Sequence, residues 1–208
     1  MNSMQTLDQI ATEQGTDKAT SHPIVRDGKG HGYAPHYAAQ FDAIRNDPIK
    51  LLEIGVGGGE SIRMWLEYFH SARVFGVDNV QGTNPWNTVG VGAHLRYTFV
   101  SGDQGCETFW KCFVVDYGSN WGVIVDDGSH FSRDVITTFN AMWPRVAPGG
   151  FYCIEDLGVA YGAGSVFLPG GWPNHMDYVK DKLDDINLRD DIESLHFSKE
   201  LAIFRKSP

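Results

Sequence analysis

Short apolar runs recur at residues 50–56, 73–80, 96–100, 122–125 and 151–154, and each runs into glycine or acidic residues at its end. Between them lie stretches with helical spacing: Ile62, Trp65, Leu66 and Phe69 share one face, and residues 107–115 and 132–143 repeat the pattern. Short apolar stretches alternating with helix-like segments long enough for crossovers predict five parallel strands, a doubly wound α/β sheet. The tail departs from this rhythm. Runs at 192–197 and 201–204 are separated only by Ser198-Lys199-Glu200, too few residues for a crossover, so they predict a C-terminal antiparallel hairpin.

Upstream, Tyr37, Phe41 and Ile44 follow Pro35 at helical spacing until Asp47-Pro48 ends the helix. Residues 1–33 read as an arm, a helix followed by a glycine-bearing loop with little core, and 158–175 as a glycine- and aromatic-rich loop on the acceptor side. Residues 176–183 return to helical spacing. A single domain spanning 1–208 accounts for the whole pattern.

Composition narrows the partners. A net charge of −9 disfavours broad binding to nucleic acid or to an anionic membrane, and no stretch approaches a membrane span or a secretory leader. Cys106, Cys112 and Cys153 form no metal-ligand pattern, and a sparse, odd count suits reduced thiols in the cytoplasm, the expected location. Cys153, Trp65, Trp110 and Trp143 are expected in the core.

The chemistry gathers at the strand ends. Asp126-Asp127-Gly128-Ser129-His130 follows the fourth run and Glu155-Asp156 the fifth. Parallel neighbours lie about 4.8 Å apart, so groups past both carboxyl ends become neighbours in space. Two acidic pairs there would raise one another's pKa unless a cation or a lysine compensates, which argues for an ion over simple capping. His130 stands beside them as an imidazole able to take a proton near neutral pH.

Glu53-Ile54-Gly55-Val56-Gly57-Gly58-Gly59 ends the first strand with two glycines of a dinucleotide fingerprint, but Glu60 replaces the third. Asp78, 23 residues past Gly55, is placed to accept from ribose hydroxyls, which suits NAD or S-adenosylmethionine equally. Thr16-Asp17-Lys18 and Tyr33 are read either as a cover over that donor or as a disordered arm. Tyr161, Phe167 and Trp172 are read either as a stacking surface for a sugar or as loop packing.

With Glu53 to Gly59, Asp78, Asp126 to His130 and Glu155-Asp156-Leu157 in this order, the chain resembles the metal-dependent sugar O-methyltransferases of macrolide and related natural-product pathways. The resemblance runs from Gly15-Thr16-Asp17-Lys18 to the end, and the hairpin matches the inverted last strands of the seven-stranded class I methyltransferase fold. It implies that Asp127, Glu155 and Asp156 ligate Mg²⁺ and that His130 is the general base. It also implies that Gly55, Gly57, Asp78 and Asp126 line S-adenosylmethionine, with Asp103 near the adenine; Glu53, Lys18 and Tyr33 complete the candidate donor-binding set. Against those enzymes the chain is expected to lack the large amino-terminal region that in them helps to build the oligomer and the acceptor pocket, so acceptor and any homo-oligomer stay open.

The expected activity is therefore Mg²⁺-assisted methyl transfer to a hydroxyl of a sugar-bearing small molecule. Three alternatives share parts of the pattern. A catechol-type acceptor would use the same two-oxygen geometry at the metal, an NAD-dependent oxidoreductase the same glycine loop and Asp78, and a non-catalytic donor-binding module everything except the base and the ion.

Overall fold

The computed structural model describes residues 4–22, 28–79, 94–161 and 174–208. Five parallel strands, β1 (Lys50–Ile54), β2 (Arg73–Asp78), β3 (Tyr97–Ser101), β4 (Trp121–Asp126) and β5 (Val146–Ile154), are followed by β6 (Ile192–Ser198) and β7 (Leu201–Lys206). The sheet order is β3-β2-β1-β4-β5-β7-β6, with β7 antiparallel to both neighbours. This is the expected seven-stranded sheet with its terminal hairpin. The chain leaves β1 toward one edge and returns to β4 beside it, so the β1/β4 boundary is the switch point where an open sheet forms a ligand crevice.

Among the described residues, six α-helices cover the two faces: α1 (Leu7–Gln14), α2 (Ala34–Phe41) and α3 (Glu60–Tyr68) on one, α4 (Glu107–Tyr117), α5 (Ser132–Met142) and α6 (His175–Leu188) on the other. Along the central strands, past the register shift at Trp121–Val123, side chains alternate between these faces. Leu51, Val123, Val125, Phe151 and Cys153 join Tyr37, Phe41 and Trp65 in the first core. Leu52, Ile54, Ile124, Tyr152 and Ile154 join Trp110, Phe139 and Met176 in the second. The period of two therefore fixes where each acidic residue goes: Glu53 belongs to the α1–α3 face, Asp126 to the α4–α6 face.

The amino-terminal segment departs from the expected arm with little core. Leu7, Ile10 and Ala11 form a one-turn apolar stripe that packs in the first core, and the helix is framed by a Thr6/Gln9 capping box and by Gly15 in the left-handed conformation. Beyond it the chain crosses itself, with Gly32 N–H donating to the Ala19 carbonyl at 3.0 Å and Ala34 N–H to the Lys18 carbonyl at 2.8 Å. Such cross-bonding holds residues 17–20 against 30–34 instead of leaving them loose. Cys153, Trp65, Trp110 and Trp143 are buried as expected. Among the described residues, no helix is long and apolar enough to cross a membrane.

Candidate active site

At the switch point the chain leaves β1 through glycines that only backbone can occupy. Gly55 has φ +85°, and a Cβ there would lie 1.9 Å from the Asp127 carbonyl oxygen. Glycine thus lets the loop after β1 lie directly against the loop after β4. Asp78 Oδ2 accepts from Val56 N–H at 2.7 Å and Gly57 N–H at 3.1 Å, pinning the turn to the end of β2. The result is a cleft of about 770 Å³ lined by Gly55, Gly57, Asp78, Asp103, Lys18 and Asp127, among others.

Six of the residues expected to face a donor or an ion, Lys18, Gly55, Gly57, Asp78, Asp103 and Asp127, therefore meet in one cleft. Three candidate donor contacts, Glu53, Asp126 and Tyr33, do not line it. Glu53 is fully buried beneath the glycine loop, accepts from Ser61 Oγ at 2.8 Å, and is pushed up to about 7 by burial. Asp126 faces the α4–α6 side, where it accepts from Gln104 Nε2 at 3.0 Å and Tyr152 Oη at 3.3 Å; burial raises it to about 7 as well. Tyr33 is 1% exposed and donates to Asp156 Oδ1 at 2.8 Å, so its hydroxyl is joined to the acidic cluster. Strand parity and the inward fold of the amino-terminal loop are the physical reasons.

Lys18 lines the cleft and also reaches into the acidic cluster. Its side chain is 1% exposed, and Nζ lies 2.5 Å from Asp127 Oδ2, 2.7 Å from Glu155 Oε2 and 3.6 Å from Glu53 Oε1. Burial alone would lower its pKa, but these carboxylates outweigh it and hold the ammonium well above the ordinary lysine range. The compensating lysine that the clustered acids called for is thus present.

The acidic cluster sits where β4 and β5 open. Glu155 is 4% exposed, with Oε1 accepting from Tyr37 Oη at 2.6 Å and Oε2 from Lys18. Asp156 Oδ2 lies 3.5 Å from His130 Nε2. Asp127, His130 and Asp156 each offer a ligand atom, and these lie within 4.8 Å of one another. Oxygen donors this close, one of them already balanced by a lysine, fit a hard divalent cation. Glu155 stands beside this group with both oxygens engaged, so the structure brings Asp127 and Asp156 together around His130 and holds Glu155 behind them.

His130 and Asp156 both have positive φ, 58° and 55°. A side chain in that region costs about 1–2 kcal/mol, and its presence at two facing positions marks a geometry the surrounding structure imposes. The sequence pattern alone missed three contributors. Tyr37 was absorbed into a helical core face, although its hydroxyl reaches Glu155. Gln104 joins β3 to β4 by bonding Asp126 and, through Oε1, Ser129 N–H at 2.6 Å. His31 stacks on Tyr33 at 5.1 Å and lies 3.7 Å from both Asp156 and Glu200, forming part of the rim. Tyr161 is exposed on a short turn after β5, while Phe167 and Trp172 lie outside the described residues.

Comparison with known proteins agrees with this geometry. A family model described as a methyltransferase domain matches residues 52–157. The demethylmacrocin O-methyltransferase of Streptomyces fradiae is 38% identical over 147 residues, 66% of this chain and 34% of its own length. A tetracenomycin rhamnosyl 3'-O-methyltransferase of Streptomyces olivaceus is 31% identical over 202 residues, 90% of this chain and 49% of its own. The MycE methyltransferase of the mycinamycin pathway, solved with Mg, S-adenosylhomocysteine (SAH) and mycinamycin VI, superposes with a TM-score of 0.81 at 29% identity, covering 98% of this chain and 55% of that one. The chain thus spans half or less of the length of these two curated relatives. With the matched stretch running from β1 through the acidic cluster, on a seven-stranded sheet with an inverted last strand, the chain belongs to the methyltransferase-domain family and has its Rossmann-like class I fold.

Proposed function

We propose that the protein is an S-adenosylmethionine- and Mg²⁺-dependent O-methyltransferase acting on a sugar hydroxyl of a glycosylated natural product. The observation that carries this reading is the meeting of two features at the switch point: a glycine-walled cleft, and at its end the Asp127–His130–Asp156 group. The sugar acceptors and the Mg complex named for the relatives support it.

In this reading the donor lies in the cleft, with its backbone-facing part against Gly55 and Gly57 and its ribose beside Asp78; Asp103 flanks the far end. Asp127 and Asp156, with Glu155 beside them, would hold the ion, and a bound Mg²⁺ lowers the pKa of a coordinated hydroxyl and fixes its direction. His130 takes the hydroxyl proton at Nε2. Asp156 Oδ2, 3.5 Å away, orients that ring and is itself held by Tyr33. Carboxylates committed to a cation are poor bases, which leaves the imidazole for proton transfer.

The test is a methyl-transfer screen over glycosylated polyketides and catechols, with and without Mg²⁺, alongside calorimetry with S-adenosylmethionine and NAD. Sugar methylation abolished by EDTA is the expected result. Full activity in EDTA would refute the metal reading, and NAD binding without S-adenosylmethionine binding would refute the donor.

A further inference from the structure

The acidic cluster carries a cation of its own. Lys18 Nζ contacts one oxygen of Asp127 and one of Glu155, and its stem is buried to 1% exposure. The loop that delivers it is strapped on both sides, by His31 N–H to the Asp17 carbonyl at 2.7 Å and by Ala34 N–H to that of Lys18 at 2.8 Å. An ammonium cannot leave such a place without abandoning the buried Glu155 carboxylate and the half-buried Asp127, so it is a fixed part of the cluster.

We propose that Lys18 is a positioning residue that tunes the cluster to a divalent ion. This rests on the metal-site reading above. Asp127 is shared: Oδ2 takes the ammonium, and the same carboxylate belongs to the Asp127–His130–Asp156 group. The ammonium therefore cancels one unit of negative charge within contact distance of the ion's own ligand. Because attraction between ion and cluster scales with the charge of each, removing Lys18 adds the same negative charge for every ion but benefits a trivalent ion more than a divalent one. Loss of geometry, by contrast, weakens both. A rise in the ratio of trivalent to divalent affinity that the charge-keeping Lys18→Arg does not share therefore separates the charge of Lys18 from a structural effect of replacing it.

The experiment is Tb³⁺ luminescence titration with Mg²⁺ competition on the full chain, comparing wild type with Lys18→Gln and Lys18→Arg. The Tb³⁺-over-Mg²⁺ affinity ratio is expected to rise at least about tenfold in Lys18→Gln and to stay close to wild type in Lys18→Arg, which keeps the charge. An unchanged ratio in Lys18→Gln, with the wild type binding both ions, overturns this inference alone. A wild type that binds neither ion overturns the metal-site reading and the inference with it. If Lys18→Gln is unfolded in EDTA, recovery of its fold on adding either ion supports the role of an internal cation, and failure to recover at saturating ion refutes it.

Discussion

Gly55 and Gly57 sit two residues apart in the same loop and both have positive φ, yet their substitution by alanine should differ sharply. At Gly57, with φ +52°, a Cβ meets nothing within 4 Å. Gly57→Ala therefore costs only the left-handed backbone of a non-glycine residue, about 1–2 kcal/mol. At Gly55, with φ +85°, the Cβ would stand 1.9 Å from Asp127 O, 2.6 Å from its carbonyl carbon and 2.9 Å from Gly128 Cα. All three are backbone atoms, so relief requires the β1 and β4 loops to part by more than an ångström. Adding an overpacking cost of about 1–3 kcal/mol to the backbone cost places Gly55→Ala at about 2–5 kcal/mol. Since the atom displaced is the carbonyl of Asp127, cation binding should also be lost in Gly55→Ala and kept in Gly57→Ala. Urea unfolding followed by tryptophan fluorescence, analysed with matched m-values, measures both losses. Equal destabilisation, or a larger loss for Gly57→Ala, would refute the argument that close backbone approach is what demands glycine at Gly55.

Other outcomes follow from single contacts. His130→Ala should lower turnover by about 10²–10⁴-fold while SAH binding, measured by calorimetry, is unchanged; a parallel loss of donor affinity would place His130 in the donor site instead. Tyr37→Phe keeps the ring packed on Phe41 and Trp65 but removes the hydroxyl from Glu155 Oε1, and should cost about 1–3 kcal/mol in urea melts; a negligible change would mean that bond holds nothing. His175, buried with Nδ1 2.8 Å from Ser132 Oγ, is lowered to about 4, chiefly by burial. Its unfolded pKa is near 6.5, so the unfolded chain binds the extra proton first and stability is lost as pH falls from about 6.5 toward 4. Comparison of wild type with His175→Gln should therefore show the wild type losing about 2 kcal/mol more between pH 7.5 and 5, and parallel pH profiles for the two would exclude His175 as the source.

The sheet was legible from the lengths of the connections between its strands. The short runs at 51–54 and 122–125 are each followed by a helix-length crossover, which demands parallel neighbours, and the three-residue link at Ser198-Lys199-Glu200 forces the hairpin. The acidic cluster was legible for the same reason, since strand ends are where parallel sheets bring distant residues together. Its internal division was present in the strand parity, which sends Asp126 to the face opposite Asp127, although adjacency in sequence suggested a shared surface. Lys18 was not legible in its role, because its partners lie 109 and 137 residues away and nothing local distinguishes it from a solvated loop lysine. Tyr37 reads correctly as core from its spacing; periodicity reports where the ring goes and is silent about the hydroxyl at its tip.

These contacts also assign the site's parts to different stretches of chain. The carboxylates and His130 all fall within residues 52–157, the stretch shared with the methyltransferase-domain family, and arise from the sheet itself. What neutralises and orients them comes from outside that stretch: Lys18 on Asp127 and Glu155, Tyr37 on Glu155, Tyr33 on Asp156. Burying Glu155 without these partners would leave a desolvated carboxylate uncompensated, a cost of several kcal/mol that the rest of the fold would have to absorb. The α1–α2 segment is therefore part of the site's electrostatics and not merely a cover over it. A change there that leaves every carboxylate intact, such as loss of the Ala19–Gly32 strapping that fixes the Lys18 backbone, should disturb the cluster as surely as a substitution within it.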